Sequence, residues 1–115
     1  MIGIGHSLDK IIEHAIRLQQ VRKEDLQYGD QVIVLTRNSR YTIRVLRNGQ
    51  YEVSGGYFDR KGLSPIKITI TGCTWGGRII KLDIVAACGL HLEFGNRVLT
   101  TAIRKVFVIP SVSQN

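Results

Sequence analysis

Residues 40–53 read Arg40-Tyr41-Thr42-Ile43-Arg44-Val45-Leu46-Arg47-Asn48-Gly49-Gln50-Tyr51-Glu52-Val53. Tyr41, Ile43 and Val45 alternate with Arg40, Thr42 and Arg44, so one face of a strand is apolar and the other carries charge. Asn48-Gly49 supplies the two residues that a type I′ turn needs at positive φ. Tyr51 and Val53 then continue the apolar face on the returning strand. The stretch is an antiparallel hairpin with one covered face.

The same period extends outward. Upstream, Val32-Ile33-Val34-Leu35 is a continuous apolar run, as expected of a strand covered on both faces. Arg37-Asn38-Ser39 reads as a tight turn into the hairpin. Downstream, Gly55-Gly56 marks a bulge or a bend. Residues 58–65 read as a loop. Ile66, Ile68 and Ile70 alternate with Lys67 and Thr69. Ile80, Leu82 and Ile84 alternate with Lys81 and Asp83. Leu90, Leu92 and Phe94 alternate with His91 and Glu93, and Gly95-Asn96 is a second turn. Stretches 98–101 and 103–109 complete the set. About seven short strands with turns at close intervals predict a mainly β fold, a small antiparallel barrel or sandwich over residues 31–109. Residues 110–115 form a polar tail.

The first part of the chain has a different period. Leu8, Ile11, Ile12, Ala15 and Leu18 recur at three- and four-residue spacing behind Ser7, a capping residue. This stripe predicts one amphipathic helix over residues 7–26, packed on the β part or closing one end. A length of 115 residues suits a single domain. No apolar run approaches the roughly 20 residues that span a bilayer. Asp9, Lys10, Glu13 and Arg17 interrupt any secretory apolar segment. A soluble cytoplasmic domain with no membrane partner is the expectation.

Charge is the most informative bulk property. Sixteen Lys and Arg face nine Asp and Glu, a net +7. Residues 1–30 sum to −1 and residues 31–115 to +8. Such an excess attracts polyanions, of which nucleic acid is the commonest, and it also keeps small proteins apart in solution. Arg40, Arg44, Lys67 and Lys81 fall on outward strand positions. With Arg78 they are the expected phosphate contacts, and Trp75 or Tyr57 is the expected stacking ring. Trp75 has two readings, a cap on the core or an exposed contact.

Chemistry-bearing motifs are sparse. Gly72 and Gly77 have the spacing of a phosphate-binding loop, but Arg78-Ile79 stands where Lys and a hydroxyl residue belong. Gly3-x-Gly5 lacks the third glycine of a dinucleotide fingerprint. Cys73, Cys88 and His91 could supply three metal ligands, yet Cys88 and His91, three apart, point to opposite faces of a strand. No C-x-x-C pair exists, and two reduced thiols are expected. The segment from residue 31 onward holds four carboxylates and one histidine, with no G-x-S-x-G elbow. The sequence therefore predicts no enzyme activity, no metal, no cofactor and no small-molecule substrate.

Thr36-Arg37-Asn38-Ser39-x-Tyr41, Gly55-Gly56, Gly72-Cys73-Thr74-Trp75-Gly76-Gly77 and Gly89-Leu90-x-Leu92-Glu93-Phe94 resemble a group of short β-rich bacterial proteins. The resemblance covers roughly residues 30–109 and implies the order of turns and strands, with no function attached. Two readings of function stay open. One is a non-catalytic binding module for nucleic acid or another polyanion. The other is a protein-interaction or self-assembling module that uses the helix stripe or a sheet edge.

Overall fold

The computed structural model describes residues 15–75 and 79–111. Its strands are β1 (Ile16–Leu18), β2 (Gln20–Arg22), β3 (Gln31–Thr36), β4 (Arg40–Val45), β5 (Tyr51–Gly55), β6 (Ile66–Ile68), β7 (Ile70–Thr74), β8 (Ile80–Lys81), β9 (Ile84–Ala87), β10 (His91–Phe94) and β11 (Ile103–Ile109). A five-residue helix α1 (Gly56–Arg60) follows β5. The fold is mainly β, and every ladder is antiparallel.

One sheet has the order β1-β11-β3-β4-β5-β6, a second β10-β7-β8, and β2 pairs with β9. The large sheet is open, since no ladder joins β6 to β1, so the barrel alternative is not realised. Strand β11, last along the described chain, lies between β1 and β3. The row Ile16–Val108–Val32–Ile43–Val53–Ile66 crosses all six strands on one face. Val32, Ile43 and Val53 at its centre are fully buried. They share the core with Ile70, Cys73, Leu92 and Phe94 of the second sheet and with Ile84–Ala87 of β9. The hairpin read from residues 40–53 forms in register, Val45 opposite Tyr51, with Asn48 and Gly49 at φ 60° and 72°.

The outer face of the large sheet changes character from strand to strand. Over β11 and β3, Phe107, Ile109 and Ile33 form a second buried cluster, with Ala15 and Leu35 against it. This explains why the run Val32–Leu35 is apolar at every position. Over β4, β5 and β6 the same face carries Thr42, Arg44, Ser54, Glu52 and Lys67.

Several expectations are corrected. Residues 15–26 are not helical. Ala15 precedes β1, Leu18 is exposed in β1, Val21 is buried in β2, and Lys23–Asp25 form a single 3₁₀ turn. Backbone pairing decides this. β1 satisfies the free edge of β11, and β2 does the same for β9, which outweighs a stripe that reads equally well as short alternations. Ser7, Leu8, Ile11 and Ile12 lie outside the described residues. The alternation through Ile80, Leu82 and Ile84 is broken, because Leu82-Asp83 is a turn and leaves Leu82 exposed. The run Ile66–Ile70 splits at Thr69 and passes from one sheet to the other. Residues 56–60, expected in a bend and loop, form α1. No helix among the described residues is long and apolar enough to cross a membrane.

Candidate polyanion-binding site

Five of the six predicted contact residues are described, and they fall into two places. Arg40, Arg44 and Lys67 are exposed on the outer face of the large sheet. Arg44 and Lys67 both flank Glu52 in the ladder, so their charge is partly offset there. Lys81 lies in β8 of the second sheet and Trp75 directly follows β7, with the Lys81 ammonium 4.8 Å from the centre of the Trp75 indole. Trp75 is 59% exposed, which settles its two readings in favour of the surface. Arg78 lies outside the described residues.

Arg40 belongs to a different gathering that the sequence did not display. Three open clefts, of about 550, 310 and 210 Å³, flank the segment Thr36–Tyr41 at one end of the large sheet. Arg37 and Arg104 line the first, Arg40 the second and Arg60 the third. Asn38 and Thr101 line both the first and the third, so these two clefts adjoin. Asp59 is the only carboxylate among the lining residues of all three.

Each arginine arrives by a different local device. Arg37 occupies the turn closed by Thr36 N–H to the Ser39 carbonyl at 2.9 Å, and the Ser39 N–H donates to Thr36 Oγ1 at 3.1 Å. Arg40 opens β4. Arg60 ends α1, and its Nη1 donates to Ser39 Oγ at 3.2 Å. Arg104 is the extra residue where the β11 register slips between Ile103, opposite Thr36, and Lys105, opposite Leu35. Such a bulge re-aims one side chain out of the alternation.

Two glycines allow the helix to approach. A Cβ on Gly55, at φ 101°, would lie 2.0 Å from the Arg40 carbonyl oxygen. One on Gly56, at φ 45°, would lie 2.2 Å from Tyr41 Cζ. With both positions bare, the Tyr57 N–H donates to the Tyr41 hydroxyl at 3.0 Å. Phe58 then inserts between Tyr41 and Phe94, with ring centres 6.2 and 4.9 Å away in edge-to-face contact. Phe58 is fully buried. The clefts thus stand on a packed aromatic base.

The electrostatics of this end are uneven. Among the described residues the ion pairs are those of Arg22, with Glu24 at 3.1 Å and Asp83 at 3.3 Å. None of Arg37, Arg40, Arg60 and Arg104 lies at ion-pair distance from a described carboxylate. Asp59 is held below the usual carboxylate range by the Ser64 hydroxyl, then by the Gly55 amide at 2.9 Å, with Arg40 adding a smaller pull. It is therefore already bonded as a cap for the start of α1. Four guanidiniums with no carboxylate partner among the described residues can present planar forks of donors to phosphate or carboxylate.

The residues weighed as metal ligands are engaged elsewhere. Both cysteines are free thiols, Cys73 Sγ donating to the Val85 carbonyl and Cys88 Sγ to that of Arg104. His91 Nδ1 lies 2.9 Å from the Thr100 carbonyl. Among the described residues no three His, Cys, Asp or Glu side chains come together.

Arg37, Arg60 and Arg104, which line the clefts, are not among the contacts expected from the sequence. The signal for two of them was present, since Arg37 lies three residues before Arg40 and Arg60 follows the glycine pair. The bulge that aims Arg104 leaves no such mark. No protein-family model matches this chain, and no curated protein or solved structure matches it.

Proposed function

We propose that this protein is a non-catalytic binding module for polyanions, nucleic acid foremost, and that the end built by Arg37, Arg40, Arg60 and Arg104 is its contact surface. One observation carries the reading: four arginines from three separate segments, Thr36–Tyr41, α1 and β11, line clefts beside one turn, with Asp59 the only lining carboxylate. Arg44 and Lys67 extend the surface along the outer sheet face. Lys81 and Trp75 stand apart at the second sheet.

Titration of the protein with a labelled oligonucleotide at several salt concentrations tests it. Four phosphate contacts give a log–log slope of about −3 on a single strand. The pair Arg37→Glu and Arg104→Glu flattens that slope by about 1.5, whereas Lys81→Glu leaves it nearly unchanged. Absence of binding at low salt overturns the proposal.

A second reading rests on the edge strand β1. Ile16 is 53% and Leu18 38% exposed on a strand that has one unpaired side among the described residues. An edge that carries apolar side chains favours pairing with another chain. Sedimentation of wild type against Ile16→Asp tests it: a dimer that Ile16→Asp dissociates supports self-assembly, and a wild type that stays monomeric sinks it.

A further inference from the structure

We propose that the polyanion is single-stranded nucleic acid, and that one unstacked base enters the cleft between Tyr57 and Leu99 while adjoining phosphates lie on Arg37 and Arg104. This rests on the polyanion reading above and adds the base to it. The smaller cleft, about 210 Å³, has the volume of roughly seven liquid waters, the scale of a single heterocycle.

Its walls are of two kinds. Tyr57 and Leu99 supply apolar surface. Leu99 is 48% exposed, an aliphatic side chain standing out of the core at the rim. The Tyr57 ring is fixed edge-to-face on buried Phe58, with centres 5.5 Å apart and planes at 89°. The Lys61 ammonium stands 5.8 Å from its centre, so a cation is already beside the ring. Asn38, Ser39 and Thr101 supply the amide and hydroxyl groups that read base edges, and Arg60 is tied to Ser39.

Asn38 and Thr101 also line the larger cleft, where Arg37 and Arg104 lie. Base and phosphate subsites therefore adjoin, as a nucleotide requires. A duplex keeps its bases stacked and leaves the apolar walls unused. A bare polyphosphate has no ring to offer them. Single-strand binders combine these two elements, an aromatic platform and a cationic track.

Fluorescence anisotropy with three probes separates this inference from the reading beneath it: a short oligothymidylate, an abasic strand of equal length, and the oligothymidylate as a duplex. Inorganic polyphosphate serves as competitor. The oligothymidylate is expected to bind about tenfold more tightly than the abasic strand. Leu99→Ser, an exposed change that leaves the core intact, should remove most of that preference and leave abasic binding unchanged. Arg37→Glu should weaken all probes together. Equal affinity for base-bearing and abasic strands overturns the base subsite while the polyanion reading stands. A duplex bound as tightly as the single strand also overturns it. Failure of every probe and of polyphosphate to bind overturns both.

Discussion

Two ends of this molecule set an aromatic ring beside a cation, and they are built in opposite ways. At the Thr36–Tyr41 end, Tyr57 rests on a buried aromatic group, Gly55 and Gly56 let the helix approach the Arg40 backbone and the Tyr41 ring, and four arginines have no carboxylate partner among the described residues. At the Trp75 end, the indole is mostly exposed, Lys81 lies over it, and Ile79 and Leu82 nearby are 65% and 62% exposed. As letters in a sequence the two look alike. The difference shows that a run of aromatic and basic residues does not locate a site. Only the first end has a packed aromatic base beneath its cations.

The comparison can be broken most directly in the core. Phe58→Ala should cost about 3–5 kcal/mol in urea denaturation, since it empties a fully buried site between three other rings. Trp75→Ala should stay within about 0.5 kcal/mol, as an exposed side chain does. Equal costs would remove the distinction between the two ends.

A sharper version uses glycines at similar φ. Gly56→Ala adds a methyl group inside the Tyr41 ring and should cost about 2–3 kcal/mol. Gly49→Ala, at φ 72° with open space around it, should cost about 1 kcal/mol. If thermal denaturation gives the two the same loss, the close approach of α1 contributes nothing.

The strand that leads to Trp75 is rooted in the core through Cys73, whose thiol burial pushes up to about 11. The fold favours the protonated thiol. That stability is complete below the ordinary value of 9.0 and is lost as pH rises through 11. Alkaline denaturation should therefore show a loss of about 2–3 kcal/mol across this window, and Cys73→Ala should flatten it. A wild-type curve that stays level to pH 11 would count against a buried thiol.

The smallest effect concerns Asp59. Asp59→Asn keeps an acceptor for the Gly55 amide and removes the one carboxylate from the clefts. Polyanion affinity should rise about two- to threefold at low salt and converge with wild type at high salt. Lys81→Gln should show no such change.

Much of the large sheet was legible because its signals are local. The alternation of Arg40–Val45, the Asn48-Gly49 turn and the doubly apolar Val32–Leu35 each depend on neighbours in sequence. The rest depends on partners far along the chain. The stripe from Leu8 to Leu18 predicts a helix through residue 26, but residues 16–18 and 20–22 pair with the edges of β11 and β9. Leu82 continues an alternation on paper, and the turn at Leu82-Asp83 ends it. Of the candidate site, Arg40 was legible as an outward cation. Arg104 was not, because a bulge is a mismatch between two strands and belongs to neither alone.

The position of β11 also constrains how the protein is made. Gln31 pairs with Ile109, and Thr36 with Ile103. As the chain leaves the ribosome, β1 and β3 emerge early and wait for the strand that joins them. The hairpin of β4 and β5 can close at once, while the large sheet stays in two pieces until residue 109 is free. Arg104 reaches the turn at Arg37 at that same moment. The arginine cluster is therefore completed only when β11 docks.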